Sequence, residues 1–182
     1  MKPGEIDAEG WLAGIRHLPS PNFDARPAGE APTLLVIHSI SLPPDEFGSD
    51  DILDFFTNRL RTERHPYFAQ IATLRVSAHF LIRRDGETIQ FVSCNARAWH
   101  AGLSCWRGRE RCNDFSIGIE LEGCDTKPFA DAQYASLNTL TNTLHRHYPL
   151  AGIAGHSEIS PGRKTDPGPC FDWSRLPDCI PH

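Results

Sequence analysis

The chain has 182 residues, which fits one domain and lets a compact fold bury about 70% of its unfolded surface without a disulfide or metal staple. Its net charge of -5 and pI near 6.0 run against the basic surface of a nucleic-acid binder. No apolar run approaches the ~20 residues of a membrane span, and the start Met1-Lys2-Pro3-Gly4-Glu5 lacks the apolar stretch of a secretory signal, so the six cysteines, none in a C-x-x-C pair, read as reduced thiols of a soluble, cytosolic protein.

Residues 10–17 read as a short edge strand, followed by the turn-rich Leu18-Pro19-Ser20-Pro21-Asn22. Residues 33–37 are continuously apolar, the mark of a central strand buried on both faces, and His38 then sits at the strand's carboxyl end, where sites in such sheets gather. A single histidine there is ordinarily a hydrogen-bonded core residue. Ser49-Asp50-Asp51 supplies cap chemistry for an amphipathic helix carrying Ile52, Leu53, Phe55, Phe56 and Leu60. Residues 61–73 read as a long polar loop of the kind that covers a site. Residues 76–82 and 88–92 form an antiparallel hairpin across the Asp85-Gly86 turn.

Residues 95–112 are irregular. Trp99, in Trp99-His100-Ala101-Gly102, can line a sugar or peptide groove and can equally cap the core. Arg107, Arg109 and Arg111 cluster in a way that suits an anionic small ligand or plain solvation. Residues 115–123 alternate strictly, with Phe115, Ile117, Ile119 and Leu121 on one face. The small Ser116 and Gly118 leave room on the other face, so Glu120 can project into a cavity as a general base, or that face can simply meet water. Asp131 can cap a helix with Leu137, Leu140, Leu144 and Tyr148 at helical spacing, ended by Pro149. A short strand over 151–154 and a terminal helix over 173–180 complete the chain.

Between these last two lies Gly155-His156-Ser157-Glu158-Ile159-Ser160-Pro161-Gly162-Arg163-Lys164-Thr165-Asp166-Pro167-Gly168-Pro169, read as a loop beyond any regular element. Its H-x9-D spacing is too long for one helical face, so a folded loop must bring His156 and Asp166 together around a guest. Zinc suits that donor set and needs a third protein ligand from elsewhere. Lys164 adds positive charge suited to a reacting oxygen. The plain alternative is a solvated surface loop.

Taken together, Ile37-His38 with Ser41-Leu42-Pro43-Pro44, Val76-Ser77-Ala78-His79-Phe80, Ala98-Trp99-His100-Ala101-Gly102, Arg111-Cys112-Asn113-Asp114-Phe115, Gly118-Ile119-Glu120-Leu121-Glu122 and Arg163-Lys164-Thr165-Asp166-Pro167-Gly168-Pro169 resemble the AmpD-type 1,6-anhydro-N-acetylmuramyl-L-alanine amidases. The resemblance runs in order over nearly the whole chain. It implies an α/β (α+β) fold, with a mixed central sheet flanked by helices in one domain over 1–182 and a core of about 11–180. It also implies a cytoplasmic, monomeric enzyme of peptidoglycan recycling with one Zn2+ per chain. The family's ligands carry over onto His38, His156 and Asp166, its general base onto Glu120 and its oxyanion-stabilising lysine onto Lys164. His79 and His100 also match family positions and read as structural or groove-lining.

Ser39 stands where the family usually has Asn after the first zinc histidine, a position associated with holding the muramyl sugar, so a shorter hydroxyl replaces an amide there. Phe47 is the nearby aromatic where phage-type relatives place a tyrosine, which moves the proton-transfer role toward Glu120. The expected substrate is an anhydro-muropeptide, with Trp99 in the groove and Arg75 and Arg111 facing stem-peptide carboxylates through bidentate guanidinium contacts. Two rivals are a non-catalytic muropeptide-binding module of the same fold and a different zinc hydrolase, although no H-E-x-x-H is present.

Overall fold

The computed structural model describes residues 4–176 and 180–182. Its strands are β1 (Arg16–His17), β2 (Phe23–Ala25), β3 (Leu34–Ile40), β4 (Phe80–Ile82), β5 (Thr88–Gln90), β6 (Ala96–Ala98), β7 (Cys105–Trp106), β8 (Arg109–Glu110), β9 (Ser116–Glu122) and β10 (Gly152–Gly155). The α-helices are α1 (Asp51–Phe56), α2 (Phe68–Ile71), α3 (Asp131–His147) and α4 (His156–Ile159). The main sheet is six-stranded in the order β1-β5-β4-β9-β3-β10. Only the β4–β5 hairpin is antiparallel within it, so the sheet is mixed and flanked by helices, as the sequence implied. β2 pairs with β6, and β7 with β8, in separate antiparallel ribbons.

Of the central strands, β3 is apolar on both faces over Leu34–Ile37 and β9 on alternate residues, and each face has its own partner. Leu35, Ile37, Ile117, Ile119 and Leu121 pack with Leu137, Leu140 and Leu144 of α3. On the opposite face Leu34 and Val36 meet Ala101, Cys112, Phe115, Ala154 and Ile159. Leu81, beside Glu120 in register, joins α1 and α2 in a third cluster. His38 and Glu120 continue the alternation from Val36 and Gly118, so both side chains stand on the face between these two clusters.

Several boundaries differ from those read in the sequence. β3 does not stop at His38, because Ser39 and Ile40 keep pairing with Leu121 and Glu122. The polar face of β9 does not meet water: Ser116 and Glu122 are buried. Glu122 accepts from the backbone N–H of Gly48 at 2.6 Å and of Arg84 at 3.1 Å, which pins two loops. Residues 61–73 are not a free loop, since Phe68 and Ile71 of α2 are buried against α1 and make this stretch a packed wall. The irregular 95–112 segment contains β6, β7 and β8.

At the start of α1 the Ser49 hydroxyl accepts the Asp51 N–H at 3.2 Å. α3 starts one residue after its N-cap Ala130, whose N–H is accepted by Gln133 Oε1 at 3.0 Å, so Asp131 lies in the first turn and is not the cap. The expected terminal helix is a single 3-10 turn, Trp173–Arg175, and its continuation over 177–179 lies outside the described residues. Cys94, Cys105, Cys112, Cys124 and Cys170 are free thiols, and Cys179 lies outside the described residues.

Leu137 is fully buried where α3 meets the sheet. Leu137→Ala should lower the unfolding free energy by about 2–5 kcal/mol in urea titration; a change within error of zero would show that α3 does not close this core.

Candidate metal centre and active site

Three distant segments converge on the face left free by β3 and β9. β3 supplies His38 from the sheet interior, and the start of α4 supplies His156 immediately after β10, the neighbour of β3. The loop beyond α4 folds back to supply Asp166, whose backbone carbonyl accepts the Ser157 N–H at 2.9 Å. The site segment is therefore only partly a loop, since β10 runs to Gly155 and His156 opens a helical turn.

His38 Nδ1, His156 Nδ1 and Asp166 Oδ2 form a triangle with each pair 3.0 Å apart. His38 and His156 are buried, and Asp166 is partly exposed toward the cavity. One proton can bridge only two of these three mutually close atoms, whereas a cation between two imidazole lone pairs and a carboxylate oxygen satisfies all three. The donor set is that of a catalytic zinc site with room for a fourth ligand, so these residues fit the metal that the sequence implied.

Burial pushes the His38 ring down to about 4, against the opposing pull of the Asp166 carboxylate, so the ring is neutral at pH 7. For Asp166 burial acts upward, but the hydrogen bonds from His156 and His38 outweigh it and hold the carboxyl well below its usual range. Both shifts give the charge states that metal binding requires, a neutral imidazole and an ionised carboxylate.

A cavity of about 320 Å³ opens over the triad, with Ser39, Glu120, Lys164 and Trp99 in its wall. Phe55, Tyr67, Ile71 and Leu74 form its apolar side. A second depression of about 460 Å³ shares Ser39, Lys164 and Asp166 and extends toward Asp125 and Thr126, so the triad lies where two depressions meet. Glu120 stands beside His38 in the parallel register. Its Oε2 is buried and has no hydrogen-bond partner. Burial, reinforced by the Asp166 charge and offset by Lys164, raises its carboxyl well above the usual range. That is the condition of a group that exchanges protons with something in the cavity.

Trp99 is fixed by a 3.2 Å hydrogen bond from its Nε1 to Asp24 Oδ1. Arg75 and Arg111 are not among the described residues lining this cavity. Arg75 is exposed and donates to the carbonyls of Ala72 and Leu74. Arg111, at a positive φ of 61°, pairs with Asp114 at 3.1 Å and lines a separate depression with Arg163. Phe47 is not among the described residues lining this cavity either, and its ring meets the cations of Arg84 at 5.0 Å and Lys127 at 4.9 Å.

The supporting layer is only partly legible in the sequence. The room left by Ser116 and Gly118 is filled by the His100 ring: a Cβ on Gly118 would sit 2.5 Å from His100 Cγ. His79 is structural, accepting the Gly118 N–H on Nδ1 at 3.0 Å, and burial takes its ring down to about 3. Arg26, which nothing in the sequence singles out, donates to the carbonyls of Cys94, Asn113, Asp114 and Ser116 and so ties the β6 region to the start of β9.

The N-acetylmuramoyl-L-alanine amidase family profile matches residues 28–169, and the chain belongs to that family. It is 60% identical over 169 residues to the 1,6-anhydro-N-acetylmuramyl-L-alanine amidase AmpD of Enterobacter cloacae, a match covering 92% of this chain and 90% of that one. It superposes on the crystal structure of a Se-Met AmpD derivative with a TM-score of 0.92 at 58% identity, covering 96% and 98% of the two chains. A complex of the Escherichia coli amidase AmiD with anhydro-N-acetylmuramic acid-L-Ala-D-gamma-Glu-L-Lys matches with a TM-score of 0.62 at 28% identity, over 100% of this chain and 68% of that one.

The buried histidines set a pH dependence for the metal-free protein. Unfolded rings take up protons below their ordinary value of 6.5, while folded His38 stays neutral to about 4 and His79 to about 3. At these two rings the unfolded state then binds more protons, so their contribution to stability is complete above 6.5 and is lost as pH drops toward 4, while the raised Glu120 carboxyl contributes in the opposite sense. With the opposing carboxyl removed by Glu120→Gln, the urea midpoint of chelated protein should be lower at pH 5 than at pH 7.5; an equal or higher midpoint at pH 5 would contradict the buried, neutral rings.

Proposed function

We propose that this chain hydrolyses the amide between the lactyl group of 1,6-anhydro-N-acetylmuramic acid and the L-alanine of a stem peptide. The observation that carries the mechanism is a buried, unpartnered Glu120 carboxylate oxygen in the same cavity wall as three converging metal donors. The substrate class rests on the names of the AmpD relatives and on the ligand of the AmiD complex.

His38, His156 and Asp166 hold one zinc ion. Zinc supplies a Lewis acid for the lactyl carbonyl and a water whose pKa is drawn down toward ~7. Glu120 takes the proton of the attacking water and delivers it to the leaving alanine nitrogen; its raised affinity for protons suits both halves of that transfer. The Lys164 ammonium faces the negative charge that develops on the carbonyl oxygen, a contribution of roughly 3 kcal/mol by comparison with other oxyanion donors. The two depressions that meet at the triad receive the two halves of the substrate. Ser39 hydrogen-bonds the sugar with less reach than the family's Asn, and Trp99 offers its ring face to the substrate. Arg75 and Arg111 take the stem-peptide carboxylates by exchanging their present partners for them.

The same reading makes residues 1–182 one amidase domain, acting as a monomer in cytoplasmic peptidoglycan recycling, a compartment in which the free thiols stay reduced. A non-catalytic binding module of this fold would have no use for a buried base beside a full ligand set.

The test is turnover of anhydro-muramyl tripeptide followed by mass spectrometry. Free tripeptide should appear, vanish on chelation and return with zinc. Glu120→Ala should keep stoichiometric zinc yet lose about 10²–10⁴-fold in turnover. Binding without cleavage by the zinc-loaded wild type, or full turnover by the Glu120 variant, would overturn the assignment.

A further inference from the structure

To bind a metal through Nδ1, each ligand histidine must carry its ring proton on Nε2. The geometry here works against that in one respect, because each Nδ1 also lies 3.0 Å from Asp166 Oδ2, an acceptor that draws the proton to the wrong nitrogen. Something must hold the proton on the far side of both rings. His38 Nε2 faces His100 Nδ1 at 2.9 Å, and His156 Nε2 faces the Ala101 carbonyl at 3.1 Å. The two acceptors therefore belong to consecutive residues of one segment.

That segment is itself held from behind. The Asn113 side-chain carbonyl accepts both backbone N–H groups, from His100 at 3.2 Å and from Ala101 at 2.8 Å. His100 Nε2 lies 3.1 Å from the Ser116 hydroxyl, which can accept a proton carried there and so leave Nδ1 free to accept. The close approach of Gly118 to the ring leaves His100 no room to turn. Arg163 donates to the Ala101 carbonyl at 2.8 Å and fixes its direction.

We infer that Asn113 and His100 are positioning residues of the metal centre: Asn113 clasps the His100–Ala101 segment, which fixes the Nε2–H tautomer of both ligand histidines and so keeps both Nδ1 lone pairs available to the metal. The inference rests on the zinc reading given above. Neither residue acts on the substrate in this role, so the effect is read as metal affinity, not turnover.

The experiment compares zinc affinity by chelator competition in the full-length wild type, Asn113→Leu, Asn113→Asp, His100→Leu and His100→Asn. Leu matches Asn in size but has no acceptor, while Asp at 113 and Asn at 100 keep an acceptor oxygen in place. The Leu variants should bind zinc about 10–100-fold more weakly, and the Asp and Asn variants should stay near wild type. Ring ¹⁵N spectra of the zinc-loaded wild type should show His38 and His156 ligated through Nδ1, with slowly exchanging protons on Nε2.

Wild-type affinity in a folded Leu variant, failure of the acceptor-keeping variants to rescue, or ligation through Nε2 would overturn the inference. The wild-type ring spectrum decides the question even where a Leu variant does not fold. Absence of zinc binding by the wild type would instead overturn the zinc reading itself.

Discussion

The parallel pairing of β3 with β9, in the register that sets His38 beside Glu120, is the constraint on which the rest of the site depends. Because side chains alternate along a strand, a slip of β3 by one residue against β9 would turn His38 into the α3 core and bring Ile37 to the cavity face beside Glu120. The register is held on the other face by Leu35, Ile37, Ile117, Ile119 and Leu121 against α3. An apolar core that never touches the site thus determines which carboxylate stands beside which imidazole.

The remaining parts are placed relative to that pair. β10 lies parallel to β3 and ends where His156 begins, so one strand pairing carries the second ligand to the first. The loop after α4 brings Asp166 back to both rings, and Lys164 comes with it to the cavity wall. Burial then sets the chemistry. It keeps His38 neutral and makes Glu120 an unusually basic carboxylate, while Asp166 remains ionised because it is paired. Two carboxylates in one cavity thereby acquire opposite proton affinities, the condition for the separate roles proposed for them.

Much of this was legible in the sequence because the signals are local. The apolar run before His38, the alternation through Glu120 and the Pro- and Gly-rich stretch around Asp166 each declare an element or a site on their own. Matched motifs spread over the chain then supplied the third ligand. What stayed hidden depends on contacts between distant residues. Asn113 touches the site only by accepting the backbone N–H groups of residues 100 and 101, and Arg26 reaches carbonyls 68 to 90 residues away. The polar composition of 61–73 concealed α2, which exists because Phe68 and Ile71 find a core to bury in. Guanidinium chemistry makes Arg75 and Arg111 carboxylate binders on paper, and composition alone could not show that neither side chain is among the described residues lining the cavity.

The most direct measurement is zinc stoichiometry with zinc-edge X-ray absorption on the loaded protein. One zinc per chain, with two imidazole nitrogens at about 2.0–2.1 Å, a carboxylate oxygen at about 2.0–2.2 Å and no sulfur in the shell, is the expected result. Sulfur at about 2.3 Å, or a shell that is unchanged when His38 is replaced by Ala, would contradict a metal centre built from β3, α4 and the Asp166 loop.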